Sequence, residues 1–172
     1  MIFSKKAQME MMGLVVIVIL ITLGMLFLAQ FALNEQPQKK IFTRKGLASS
    51  TMAAMMKTTI EETNCYGLQF EKDLLEDCAG YKVFGSSTHL CNGKYSCDFI
   101  ADLSTDLLNS TLGQWNKKYE YISKLVSTGD VLVNVASENG GCLSRKTERD
   151  TSGSFFLNTN VGLVESVLYI CE

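Results

Sequence analysis

From Met11 to Asn34 the chain holds 24 consecutive residues without a charge, nearly all of them apolar. At about 1.5 Å rise per residue, such a run is long enough to cross the hydrocarbon core of a bilayer, which needs about 20 residues. Pro37 follows closely on Asn34-Glu35-Gln36. With φ fixed and no N–H to donate, it predicts a kink or interruption where the helix leaves the apolar region. Helical spacing resumes from Ile41 to Thr63, where Met52, Met55, Met56, Thr59 and Ile60 form an i, i+3, i+4 stripe beside Lys57, Glu61 and Glu62. Gln69 to Cys78 reads as a short helix with Leu74 and Leu75 buried, and Gly85-Ser86-Ser87 as a loop. Asn92-Gly93 is a turn signal. Ser104 to Leu112 opens with a Ser/Thr/Asp cluster suited to N-capping, then places Leu107, Leu108 and Leu112 on one face.

After Tyr119 the period changes from helical to alternating. Tyr119–Val126 and Val131–Ala136, with Val131, Val133 and Val135 in alternation, predict a hairpin turning through Ser127-Thr128-Gly129-Asp130. Ser137 to Asp150 is expected as a loop. Ser154–Leu157 and Leu163–Cys171 are expected as two more strands, joined through Asn158-Thr159-Asn160. Mostly short connections favour an antiparallel meander. The fold class expected is therefore α+β: a long N-terminal hydrophobic helix packed by a C-terminal antiparallel sheet.

Charge divides the chain more sharply than the net −2 implies. Lys39, Lys40, Arg44 and Lys45 make a basic neck, free either to touch anionic headgroups or an acidic domain or to be solvated. Beyond Gly46 ten Lys/Arg face sixteen Asp/Glu, an acidic head with none of the basic footprint of a nucleic-acid binder. Asp73, Glu76 and Asp77 cluster on the short middle helix and read as a solvated face. No phosphate loop, nucleophile elbow or two-His metal motif is present, which argues against an enzyme and against a resident metal or cofactor. His89 with Cys91 and Cys97 is chemically able to form part of a zinc shell, but its spacing fits no common zinc pattern.

The six cysteines, Cys65, Cys78, Cys91, Cys97, Cys142 and Cys171, include no C-x-x-C pair. An even number in a small domain points to disulfides, with 15 pairings open if all are bridged. Cys91 and Cys97, flanking the Asn92-Gly93 turn, are close enough to clip it directly; Cys142 and Cys171 would tie the loop after the hairpin to the last strand. Asn109-Ser110-Thr111 is an N-glycosylation sequon, making Asn109 a candidate attachment site. The positive-inside count alone would leave the head in the cytoplasm, whereas cysteine usage places it outside, the reading preferred here.

The edge of the apolar run narrows its meaning. The run is longer than a secretory signal's and no A-x-A pattern closes it around Ala29 and Ala32, so it reads first as a plain signal anchor, a single transmembrane helix. Lys5-Lys6-Ala7-Gln8-Met9-Glu10, followed by Met11-Met12-Gly13-Leu14, resembles the class III signal of archaeal type IV pilins and archaellins. The resemblance covers about the first 33 residues. It implies residues 1–7 as a leader, with cleavage between Ala7 and Gln8 by a prepilin-peptidase-like protease. Residues 8–63 become a long helix (11–34 in the membrane or filament core, kinked near 37), and 64–172 an extracellular, disulfide-stabilised head. Glu10 stands at the third mature position, where many type IV pilins carry their glutamate at the fifth. Two readings of it stay open: a partner for the new α-amino group of a neighbouring subunit, or a helix neighbour of Lys6. Gly13 and Gly24, eleven apart, share a helix face and permit close helix packing.

Two functions follow as expectations. One is a structural subunit of a type IV pilus-like surface filament, polymerising with itself through its hydrophobic helix, delivered from the membrane by pilus assembly machinery, and serving adhesion or cell-surface contact. The alternative is a non-polymerising, single-pass membrane-anchored extracellular binding protein.

Overall fold

The structure is a computed structural model that describes residues 5–33, 37–62, 64–138, 140–142 and 148–171; side-chain surroundings are described for 12–30 and from 41 onward within those ranges. The chain divides into two units, Met1–Lys40 and Ile41–Glu172. The first is dominated by α1 (Lys5–Leu33), whose stretch Met12–Gln30 has a mean hydropathy of 2.9 and no buried residue. Along it Thr22 satisfies its own hydroxyl by donating to the Ile19 carbonyl at 2.9 Å, so that group is not left unbonded on the apolar surface.

Pro37 is the first residue of α2 (Pro37–Met56), where a missing N–H costs nothing because that group has no intrahelical acceptor. α2 ends at Met56, short of the Thr63 expected from spacing. The β-branched Thr58-Thr59-Ile60 instead pairs with the chain returning at 68–70: Phe70 N–H donates to Thr58 O at 2.9 Å and Ile60 N–H to Leu68 O at 2.8 Å. Ladder hydrogen bonds thus replace the last expected helical turns. Ala48, Met52, Met55, Met56 and Ile60 are buried, whereas Thr59, placed on the same stripe by sequence, is exposed.

Phe70–Leu75 forms a wide π-helical turn that runs into α3 (Glu76–Phe84), longer than the helix expected to end at Cys78. Gly85 stops it at φ 72°, a left-handed conformation that glycine adopts without steric cost. β1 (Leu90–Cys91) and β2 (Lys94–Tyr95) form a tight hairpin, with Asn92 at φ 50° and Gly93 at φ 75°, the two positive angles that a type I′ turn requires. α4 (Ser96–Leu108) begins eight residues before the capping cluster that was expected to open it, so Ser104 is buried mid-helix. The apolar positions Phe99 and Ile100, one to two turns earlier, already face the core and carry the helix back to Ser96. Asn109–Gly113 continues it as a second π-helical turn.

The sheet holds β3 (Lys118–Leu125), β4 (Val131–Ala136), β5 (Arg149–Thr151), β6 (Phe155–Thr159) and β7 (Gly162–Cys171), antiparallel throughout. It is not the expected meander. β7 inserts beside β3, giving the order β4-β3-β7-β5, with β6 pairing β7 on the same side as β5. Two hairpins therefore lie side by side, and the chain changes from one edge of the sheet to the other between β4 and β5. The reason is burial: β3 and β7 are the longest strands and alternate most regularly between buried and less buried positions, so they take the centre. β5 and β6 act as one edge broken by a bulge, where Ser152-Gly153-Ser154 oppose Val167 and Leu168.

Tyr119, Tyr121, Ser123 and Leu125 of β3 stand opposite Ile170, Leu168, Ser166 and Val164 of β7 on the inner face. With Val133 and Val135 they form the sheet's half of the core; residues from α2, α3 and α4 supply the other half. Each fully buried leucine or methionine there contributes about 1.5–3 kcal/mol of transfer free energy. Ser123 and Ser166 meet within this core, their hydroxyls 3.0 Å apart, and the wholly buried Tyr121 hydroxyl has its pKa pushed up to about 12 by burial.

Candidate functional site

Three features of the chain carry chemistry or recognition. The first is α1. Apolar residues around its whole circumference from Met12 to Gln30 are exposed, and a Cβ added at Gly13 or Gly24 would meet no atom within 4 Å. By length and composition such a helix is able to cross a membrane, as an anchor or as a signal sequence. Ala7, Gln8 and Glu10 belong to the backbone of α1, but their side chains, and all of residues 1–4 of the leader-like segment, lie outside the described residues. The side chains of Lys39 and Lys40 of the basic neck, and all of residues 139 and 143–147, likewise lie outside the described residues.

The second feature is a pair of bridges within the Ile41–Glu172 unit, where Cys65 bonds Cys91 and Cys78 bonds Cys97. The direct Cys91–Cys97 clip expected from their spacing does not form. Cys91 sits in β1 and Cys97 in the first turn of α4, and each is directed to a different element: one to the turn after α2, the other to α3. Cys142 bonds Cys171, fastening the crossing connection to the end of β7. Both sulfurs beside His89 are therefore covalently occupied, and the zinc shell weighed from sequence lacks its thiolates. Among the described residues no three of His, Cys, Asp and Glu gather to hold a metal.

Next to Cys78 in the chain stands Asp77, a residue that sequence reasoning assigned to a solvated face. Its carboxylate accepts from the Ser87 and Ser96 hydroxyls, from Thr88 N–H at 2.7 Å and from His89 N–H at 3.2 Å. Burial alone would raise its pKa, but these four donors together outweigh it and hold the carboxyl at about 2. Asp73 is likewise engaged, accepting the Gln69 N–H at 2.7 Å. No local sequence signal marked Asp77, because its partners come from ten to nineteen residues further on. Outside this clamp, Tyr81 stacks on Tyr95 with ring centroids 5.1 Å apart.

The basic neck also changes meaning. Arg44, allowed by sequence to be solvated, is buried and ion-paired with Asp150 of β5. A signal for this was available: Arg44 precedes Ala48 and Met52 by four and eight residues and so extends the same buried stripe.

The third feature is the sequon. Asn109 lies in the π-helical turn, half-buried, and its Oδ1 accepts the Tyr119 hydroxyl at 2.7 Å. A polar cleft opens beside it, lined by Asn109, Asn116, Lys117, Tyr119, Ser137 and Glu138. No family model, no curated protein and no solved structure matches this chain.

Proposed function

We propose that the chain is a structural subunit of an archaeal type IV pilus-like surface filament, polymerising with itself through α1 and presenting a disulfide-bonded head that serves adhesion or cell contact. The observation that carries this reading is α1 itself, apolar and exposed on every side over Met12–Gln30 beside the leader-like Lys5-Lys6-Ala7-Gln8. In the membrane lipid covers that surface, and in a filament the helices of neighbouring copies do. Gly13 and Gly24 open one face of α1 to close approach. Three disulfides in a head of this size fit an oxidising compartment and hence a head outside the cytoplasm. The head works as a surface and not as a catalytic pocket.

The mass of the N-terminal peptide in purified material, together with electron microscopy of the cell surface, tests the reading. A mature chain beginning at Gln8, found in filaments, is the expected result. A chain retaining Met1 in membranes, with no filament, would instead establish the single-pass anchored binding protein. Alkylation without reductant tests the external head: six reactive thiols would overturn it.

A further inference from the structure

The geometry points to Asn109 as the attachment point of an N-linked glycan whose first sugar lies in the cleft between the Asn109–Gly113 turn and the end of β4. The acceptor chemistry is in the sequence, an asparagine amide followed two residues later by the Thr111 hydroxyl. What the fold adds is the division of labour within that amide. Oδ1 is occupied by the Tyr119 hydroxyl, and among the described residues no hydrogen bond engages Nδ2, the atom that would carry the sugar.

The cleft fits a hydroxyl-rich occupant better than an apolar one, since amide, ammonium, hydroxyl and carboxylate groups line it. The attachment reaction is transfer from a lipid-pyrophosphate-linked sugar. Nδ2 attacks the anomeric carbon, the N–C bond forms as the C–O bond to pyrophosphate breaks, the lost amide proton passes to a base of the transferase, and the lipid pyrophosphate leaves. In the folded head Thr111 Oγ1 donates to Leu107 O at 2.7 Å, so both acceptor side chains are already committed. Transfer therefore precedes closure of this turn, and the sugar is folded into place afterwards.

The inference rests on the head lying outside the cytoplasm, as proposed above, but not on filament assembly. Full-length protein from native cells is reduced and digested, and the tryptic peptide spanning 95–117 is weighed. The expected peptide carries sugar mass and sugar fragment ions; Asn109→Gln and Thr111→Ala reduce it to the bare mass, and Thr111→Ser keeps the sugar. A bare wild-type peptide from protein whose cysteines resist alkylation overturns the glycan and leaves the external head standing. A bare peptide from protein with six free thiols overturns both.

Seating in the cleft is read by limited trypsin cleavage after Lys117 and Lys118 in the native protein. Cleavage is expected to be about tenfold slower in the glycosylated chain than in Thr111→Ala, which keeps the Asn109–Tyr119 bond. Tyr119→Phe, which loses that bond but keeps the sugar, is expected to stay slow. Equal rates for wild type and Thr111→Ala, or fast cleavage of Tyr119→Phe, overturn the seating.

Discussion

Arg44 of α2 places its Nε 2.8 Å from Asp150 Oδ2 on β5, with both side chains less than a tenth exposed, and its Nη2 lies 3.2 Å from the exposed carboxylate of Glu148. A helix laid on a sheet face by methionines and alanine alone has little to fix its position along that face. A buried, directional ion pair at the sheet edge supplies such a fix, at the expense of desolvating two charges. Asp150→Ala, which removes the buried counter-charge, is expected to destabilise the head by about 3–5 kcal/mol in chemical denaturation of the full-length chain in detergent. Glu148→Ala, at the exposed end, is expected to cost less than about 1 kcal/mol.

Asp77 gives the head a specific acid sensitivity. Its folded pKa, about 2, lies below the ordinary 3.8, so its stabilising contribution is complete above about pH 4 and is lost as pH falls towards 2. Fully shielded, such a shift would be worth about 2.5 kcal/mol; solvent screening of this partly exposed carboxylate reduces that to about 1 kcal/mol. Asp77→Asn is expected to flatten the stability profile between pH 4 and 2 and to leave its shape above pH 5 unchanged. An unaltered slope in thermal melts across that window would refute the clamp.

The bridges close loops of similar length, with sequence separations of 26, 19 and 29 residues. Each is therefore expected to contribute about 3 kcal/mol by restricting the unfolded chain. Peptide mapping without reductant is expected to recover Cys65–Cys91, Cys78–Cys97 and Cys142–Cys171, and no Cys91–Cys97 peptide. Replacing Cys65 and Cys91 by serine together with Cys78 and Cys97 should cost other than the sum of the two single-bridge losses, because both bridges hold the β1–β2 hairpin and the start of α4. The Cys142–Cys171 loss should add independently.

The apolar run, the methionine stripe, the Asn92-Gly93 turn and the Tyr119–Ala136 hairpin were legible because each follows from a local period or a short turn requirement. Leu107, Leu108 and Leu112 were also placed correctly as a helical face, but not where their helix begins, since Ser104 can cap a helix or be buried inside one and only Phe99 and Ile100 decide. Strand order was not legible. Nothing in Ser137–Asp150 states that the chain crosses to the far edge, a choice settled by which strands can be buried at the centre. Arg44, Asp77 and the Cys65–Cys91 pairing share this cause, as each has a partner brought near only by the tertiary fold.

On the filament reading, Gly13 and Gly24 test α1 separately from the head. Open space surrounds both positions in a single chain, so leucine there strains nothing and improves helix propensity by nearly 1 kcal/mol per site. Gly13→Leu with Gly24→Leu is therefore expected to leave membrane insertion and head disulfides intact while reducing filament number about tenfold, as bulky side chains block close helix approach. Normal filament counts by microscopy would remove these glycines from the packing face.

Two other glycines predict opposite signs for one substitution. At Gly141, on the crossing connection, an added Cβ would lie 2.9 Å from Glu120 Cδ and 3.3 Å from Ala136 Cβ, and closer still to Glu120 Oε2. Glu120 is buried on β3, so its side chain has little room to retreat. Gly141→Ala must therefore shift either the Glu120 carboxylate or the connection, and is expected to cost about 1–3 kcal/mol, the usual range for overpacking. Gly80 lies inside α3 with nothing within 4 Å of an added Cβ and no positive φ. Gly80→Ala is expected to raise stability by about 0.5–1 kcal/mol, by removing backbone entropy from the unfolded chain and improving helix propensity. Paired urea melts of the two variants decide the matter. A loss at Gly80 would mean that α3 is not helical there, and a neutral Gly141→Ala would mean that the connection does not lie against Glu120.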